Sequence, residues 1–288
     1  MSVIADAPTG APAAAAVMAR AETENFPVAS RLLGRRERGH LLAIYGFARL
    51  VDELGDSFAG DRLAALDWLE GELDRAFAGR ASNPLLVGLE PTLRECGLGR
   101  EPFVRLIEAN RMDQRVTRYR TWEELRGYCA LSADPVGELV LGVFGAARPE
   151  TVALSDSICT ALQLTEHCQD VAEDLARGRV YLPLEELERF GCEISDLEAH
   201  TVSGPLRELL AFEVARARSL LNEGAPLIGR LQGRAKLGVG AFIAGGRAAL
   251  EAIERSGYEV LGGRPAPSRG RGLVILAGTL AGAWRPAP

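Results

Sequence analysis

Two pairs of aspartates carry the first chemical signal in this 288-residue chain. Asp52 and Asp56 stand four residues apart in YGFARLVDELGD, and Asp170 and Asp174 stand four apart in QLTEHCQDVAEDLARGRVYLP. A helix turns about 100° per residue, so Gln163, Glu166, Asp170 and Asp174 share a stripe roughly 80° wide. Upstream, Tyr45, Arg49, Asp52 and Asp56 share a narrow stripe of the same kind. Carboxylates crowded on one face repel unless they point into solvent or meet a strong positive charge. One such pair is common on a solvated helix. Here LLAIYGFARLV around the first pair is strongly apolar, which places Asp52 on a mostly buried helix. The second pair runs into RGRVYLP, a basic and aromatic turn that ends in proline. Charge on buried helices needs a partner.

A hard divalent cation suits that role. Magnesium takes oxygen ligands, keeps several waters, and is held by one or two carboxylates together with substrate phosphate. Two facing carboxylate pairs would wall a negative cleft in which Mg²⁺ and a diphosphate neutralise one another. Metal and arginine then stabilise the charge that develops on a departing diphosphate. Arg49, Arg177 and Arg179 stand near enough in sequence to supply guanidinium forks. The carbocation left behind calls for an apolar pocket with π faces.

The elements that must position these groups read as helices. GHLLAIYGFARLVDELGD, DRLAALDWLEGELDRAF and PLRELLAFEVARARSLL each place apolar residues at steps of three and four. Stop signals fall at 78–80, 96–99, 147–150 and 190–196. No segment alternates as a strand does, so the expectation is an all-α chain of about ten helices, with no linker and no internal repeat. Residues 1–19 are Ala-rich without a basic start and read as a disordered leader. Residues 20–265 form the helical domain, and 266–288 a C-terminal tail or short helix. The apolar run at 272–284 is shorter than the roughly 20 residues a spanning helix needs. It reads as a docked terminal helix, with contact at a membrane surface as the alternative.

The totals exclude several functions. Lys plus Arg is 33 and Asp plus Glu is 39, a net charge of −6, against the basic excess of a nucleic-acid binder. Five cysteines form no C-x-x-C and read as reduced thiols of a cytoplasmic protein. Neither G-x-G-x-x-G after a strand nor G-x-x-x-x-G-K-[ST] occurs, so nicotinamide and ATP sites lack support. His167, inside the acidic stretch, reads as a packing or hydrogen-bonding histidine that edges the cleft.

YGFARLVDELGD together with QLTEHCQDVAEDLARGRVYLP resembles the squalene and phytoene synthase family, and YCALSADPVGELVLGVFG at 128–145 is similar to the helix beneath that family's substrate pocket. The resemblance implies an all-α, single-domain isoprenoid-synthase bundle around a central apolar cavity. It implies Asp52 and Asp56 as the first aspartate motif and Asp170 and Asp174 as the second, both catalytic through Mg²⁺ and diphosphate, with Glu166 as a further metal ligand. Arg49 and Arg179 match diphosphate-binding arginines. Tyr45, Tyr128 and Gln163 match pocket positions, and Tyr181 lies in the GRVYLP flap. Three positions depart from the family pattern: Glu166 stands where Asn is frequent, Gln169 where Arg is frequent, and the first motif is D-E-x-x-D.

ENFPVASRLL at 24–33 and SADPVG at 132–137 resemble the branch that makes hydroxysqualene in bacterial hopanoid synthesis. That likeness implies ionisation of presqualene diphosphate, rearrangement and capture by water, with no NADPH. The lipid diphosphate would be the substrate, and enzymes that make presqualene diphosphate and reduce hydroxysqualene would be pathway partners. The protein would be cytoplasmic with at most peripheral membrane contact. Two alternatives stand beside it: condensation of two prenyl diphosphates to presqualene diphosphate, dehydrosqualene or phytoene, and a non-catalytic assembly or binding role. Non-catalytic relatives erode the aspartate motifs, and here all four aspartates stand.

Overall fold

The computed structural model describes residues 7–19, 33–266, 275–276 and 278–279. Its helices are α1 (Ala14–Ala19), α2 (Arg35–Asp52), α3 (Arg62–Phe77), α4 (Pro84–Cys96), α5 (Glu101–Asp113), α6 (Trp122–Ser132), α7 (Asp134–Val143), α8 (Pro149–Gln169), α9 (Val171–Ala176), α10 (Leu184–Arg189), α11 (Gly204–Gly224), α12 (Leu227–Arg230) and α13 (Gly233–Arg255). A π-helical turn, Glu53–Ser57, extends α2, and a 3₁₀ turn covers Ile194–Glu198. Among the described residues the only β pairing is one parallel bridge, Arg118 to Val180. The all-α expectation holds.

Helix starts follow local chemistry. Asp61 caps α3 by accepting from the Ala64 amide at 3.0 Å, and Thr121 caps α6 by accepting from Glu124 at 3.2 Å. Asn83 and Ser203 do the same for α4 and α11, each with a proline in the first turn. Such oxygens satisfy amides that have no intrahelical partner.

The chain divides into two compact units. Unit one comprises Met1–Val116 and Pro135–Arg148; unit two comprises Thr117–Asp134 and Pro149–Pro288. The chain passes from one to the other three times, so no linker marks the division in sequence. In unit one, α2 packs on α4 and α5, and α3 on α4 and α5. Phe47, Leu50, Leu66, Leu69, Leu86 and Phe103 are completely buried there, and Phe47 meets Phe103 edge to face at 5.0 Å. Each such side chain contributes about 1.5–3 kcal/mol of burial. Glu72 of α3 is buried as well. It accepts from Arg75, from the Ser82 hydroxyl and amide and from the Asn83 amide, which ties α3 to the start of α4.

In unit two, α8 packs along α11, and α13 packs on both. Leu206, Leu210, Val214, Ala217 and Leu221 give α11 its buried stripe at steps of three and four. A buried charge network crosses the unit. Arg216 donates to both Glu213 and Glu186 and lies over the rings of Trp122 and Phe212. Ile275 and Leu276 dock on Ala244 and Ala248 of α13. The rest of the apolar run at 272–284 lies outside the described residues, apart from 278–279.

Two local expectations change. Residues 14–19, placed in the leader, form α1, and Val17 is buried against the unit one core. Alanine's helix propensity and one inserted valine are enough to dock so short a segment. The even helical stripe through Asp174 is interrupted: Asp170 has φ −107° and ψ 18° and separates α8 from α9. The amide of Asp170 still donates to Glu166 O at 2.9 Å, and that of Asp174 to Asp170 O at 2.8 Å. The interruption is therefore a kink with the ladder kept.

Candidate functional site

The residues singled out in sequence fall into two sets, one in each unit. Tyr45, Arg49, Asp52 and Asp56 belong to unit one. Tyr128, Gln163, Glu166, Asp170, Asp174, Arg179 and Tyr181 belong to unit two.

In unit one, α2 is buried along most of its length, with Tyr45 only 7% exposed. Its C-terminal end is not: Asp52 and Asp56 are both exposed. Arg49 pairs with Glu53 at 2.9 Å and approaches Asp52 at 3.9 Å, so its guanidinium already sits among these carboxylates. Asp56 lies on the π-helical turn, a geometry that often marks functional positions. Side chains of other helices hold that turn. Gln114 donates to Gly55 O at 3.0 Å, and Arg62 donates to Asp56 O at 2.9 Å and to Phe58 O at 3.1 Å. A Cβ on Gly55 would lie 2.1 Å from Asn110 Oδ1, so α5 approaches the turn more closely than any side chain at 55 permits. Spacing alone pointed to none of Gln114, Arg62 or Asn110.

In unit two, backbone pairing builds an aromatic wall. Val180 N donates to Thr117 O at 2.8 Å, Leu184 N to Tyr119 O at 2.9 Å and Glu185 N to Arg120 O at 3.0 Å. This zips 117–120 against 180–185 and sets Tyr119 beside Tyr181, rings stacked at 5.9 Å. Tyr128 of α6 joins them, at 5.3 Å from Tyr119 and 5.6 Å from Tyr181. His167 stacks on the Tyr181 ring at 3.9 Å. The sequence reading found Tyr128 and Tyr181 but missed Tyr119, which only the long-range pairing brings in. His167 also has Gln163 Nε2 3.3 Å from its Nε2 and Asp174 Oδ2 3.9 Å from its Nδ1. Burial lowers its pKa, against the pull of Asp174 and Asp170, so the ring is neutral at neutral pH. His167, Asp174, Arg179 and Tyr181 line one small cleft, about 10 Å³, together with Val171, Val180, Leu182 and Leu197.

The acidic stripe ends beside this wall. Glu166 is exposed on α8; desolvation by its neighbours still raises its pKa, a rise that Arg264 opposes and Asp170 and Asp174 reinforce. Asp170 is raised too, first by desolvation, with Arg264 opposing and Asp174 and Glu173 adding to the rise. Asp170 Oδ2 pairs with Arg264 at 3.3 Å, and Asp170 Oδ1 is buried without a hydrogen-bond partner. Arg177, considered as a guanidinium fork, instead pairs with Glu173 at 2.7 Å on the surface. Asp134 of the SADPVG stretch is buried and accepts from Arg126 at 2.8 Å and Thr160 at 2.9 Å, joining α6 to α8. The ENFPVASRLL stretch lies outside the described residues except for Leu33.

These donors fit a hard cation in one mode. They are carboxylate oxygens, mutually repelling, and one buried oxygen of Asp170 lacks a donor. Among the described residues no three His, Cys, Asp or Glu side chains close into a cage. A magnesium ion that keeps its waters and is completed by substrate phosphate needs no cage. Among the described residues no helix is long and apolar enough to cross a membrane.

Comparison with known proteins identifies the family. A family model described as squalene/phytoene synthase matches residues 19–271. The hydroxysqualene synthase of Rhodopseudomonas palustris is 38% identical over 214 residues, covering 73% of this chain and 72% of its own. A phytoene synthase of Thermus thermophilus is 34% identical over 271 residues, covering 93% and 92%. A crystal structure of squalene synthase HpnC from Alicyclobacillus acidocaldarius superposes with a TM-score of 0.80 at 49% identity, covering 84% of this chain and 92% of that one. A dehydrosqualene synthase structure superposes with a TM-score of 0.83 at 23% identity, a likeness of fold. With aspartate motifs, aromatic wall and helical architecture in place, the chain belongs to the squalene/phytoene synthase family.

Proposed function

We propose that this protein converts presqualene diphosphate to hydroxysqualene and diphosphate. The observation that carries the reading is the unit two wall, where stacked Tyr119, Tyr128, Tyr181 and His167 adjoin the Gln163–Asp174 acidic edge and Arg179. Such a buried aromatic cluster beside charged groups suits a substrate that separates into an anion and a cation. The guanidiniums take the diphosphate, and π faces stabilise the carbocation without trapping it. The C–O bond to diphosphate breaks with both electrons leaving on oxygen. The cyclopropylcarbinyl cation rearranges, water adds to it, and one proton is lost, so water and substrate account for both products without a reductant. Relatives named hydroxysqualene synthase from three bacteria, at 36–38% identity, support this branch.

In this proposal the Asp52–Asp56 pair of unit one and Asp170, Asp174 and Glu166 of unit two are each metal-ligating groups, and Mg²⁺ would supply positive charge to the departing diphosphate. Arg49 and Arg179 are diphosphate-binding residues in the same proposal, Tyr45 is a pocket residue of unit one, and Tyr128, Gln163 and Tyr181 shape the apolar part of the unit two site. The step needs a preceding reaction that joins two prenyl diphosphates and a following one that reduces the alcohol.

Purified protein is given presqualene diphosphate with Mg²⁺ and no NADPH. The expected product is a C30 alcohol with stoichiometric diphosphate, and none forms in EDTA. Phytoene synthases at 34% identity make the condensing reaction the second reading. Turnover of two farnesyl or geranylgeranyl diphosphates, with no reaction of presqualene diphosphate, would establish that reading instead. Asp52→Asn and Asp170→Asn are each expected to abolish turnover with unfolding temperatures kept. Unchanged rates would leave the non-catalytic role.

A further inference from the structure

Gln169 fastens a distant piece of chain to the acidic end of α8. Its side chain is buried and bonded on both sides: Nε2 donates to Pro265 O at 2.7 Å, and Oε1 accepts from Arg264 Nη2 at 3.3 Å. Both partners belong to the segment after α13, about 95 residues downstream. Gly263, with φ +140°, makes the preceding bend in backbone that favours glycine, and a Cβ there would meet no atom. The outcome is that the other Arg264 nitrogen, Nη1, stands 3.3 Å from Asp170 Oδ2. The Arg264 side chain is 54% exposed, so it remains open to a ligand.

A buried amide with both ends engaged by adjacent residues of one segment is a clasp. What it delivers is one positive charge on a carboxylate that Glu166, Asp174 and Glu173 already crowd.

We propose that Gln169 is a positioning residue that holds Arg264 on Asp170, and that Arg264 couples metal loading of this carboxylate set to the arrival of a diphosphate. The inference rests on the proposed metal and diphosphate chemistry of the same site. Its physical basis is the sign of the charges. A divalent cation at Asp170 is repelled by a guanidinium a few ångströms away, so Arg264 weakens binding of metal alone. A diphosphate bridging that metal is attracted by the same guanidinium, so Arg264 strengthens binding of the metal–diphosphate pair. Arg264 thereby offsets one carboxylate charge of the empty site and favours metal that comes with its anion.

The two effects have opposite directions, which separates this role from a structural one. Mn²⁺ binding to the full-length protein is followed by electron paramagnetic resonance, and inorganic diphosphate binding in saturating Mg²⁺ by calorimetry. Arg264→Gln is expected to tighten Mn²⁺ severalfold and to weaken diphosphate about tenfold, the weight of one charge-assisted hydrogen bond. Gln169→Leu, which cannot clasp, is expected to shift both affinities the same way by less. Arg264→Lys keeps the charge and is expected to restore most of the metal selectivity. Weakening of both ligands in Arg264→Gln, or no change in either, would overturn the proposal. Failure of the wild-type protein to bind diphosphate in a Mg²⁺-dependent way would instead overturn the metal chemistry on which it rests.

Discussion

Gly55→Ala puts the smallest possible load on the turn that carries Asp56. The added Cβ would lie 2.1 Å from Asn110 Oδ1, 2.9 Å from its Cγ and 3.1 Å from its Cβ, where ordinary contact begins at 3.4 Å. Asn110 is buried on α5 and donates from Nδ2 to Leu106 O at 3.3 Å, so swinging its amide away breaks a bond inside the core. Moving the turn instead strains the bond from Gln114 to Gly55 O. Overpacking of this kind costs about 1–3 kcal/mol. In a chain of this size that lowers the unfolding temperature by about 2–4 °C for each kcal/mol. With Asp56 in its proposed metal-binding role, a displacement near 1 Å is expected to lower turnover by about 100-fold. The assay combines thermal unfolding with steady-state diphosphate release. The double variant Gly55→Ala/Asn110→Ala removes the two closest atoms and is expected to recover much of both losses, a coupling of about 1 kcal/mol or more. An unaltered Gly55→Ala protein, or a double variant whose losses simply add, would refute the steric reasoning.

Three further outcomes follow from buried charge. Burial opposes the charge of Glu72, but hydrogen bonds from Asn83, Ser82 and Arg75 outweigh it and hold the carboxyl down to about 2. A depressed pKa contributes stability above the unfolded value of 4.5 and loses it as pH falls towards 2, about 3 kcal/mol in all. Denaturant unfolding of Glu72→Gln is therefore expected to show a lower free energy at pH 7 and a flatter decline between pH 5 and pH 3. Glu213 is pushed the other way, by burial and then by its hydrogen bond with Glu186, so the pair keeps a proton that the unfolded chain releases. Stability from it is full below pH 4.5 and falls as pH rises through the raised pKa, and Glu213→Gln, which mimics the protonated acid, is expected to be less sensitive to alkali. Asp134→Asn leaves the Arg126 charge without its carboxylate and is expected to cost about 2–4 kcal/mol in chemical unfolding. Because Asp134 ties α6 to α8, it should also raise KM more than a surface substitution of equal stability cost.

Helical class and the principal motif residues were legible from local pattern. Apolar steps of three and four, caps such as Asp61 and Thr121, and stops such as 78–80 act over a few residues, which is the range that sequence spacing reports. The four aspartates were visible for the same reason: a helix converts a spacing of four into a shared face. Tertiary structure decided the rest. Tyr119 enters the aromatic wall through backbone pairing with a segment some 60 residues away. Arg264 reaches Asp170 from about 95 residues downstream, and Gln169, conspicuous in sequence only as a missing cation, proves to be the side chain that brings one. The π-helical turn at Asp56 is held from outside its own helix, by Gln114 and Arg62 among others. Spacing along a chain encodes direction from one helix, whereas contacts between helices depend on where the fold lays the others.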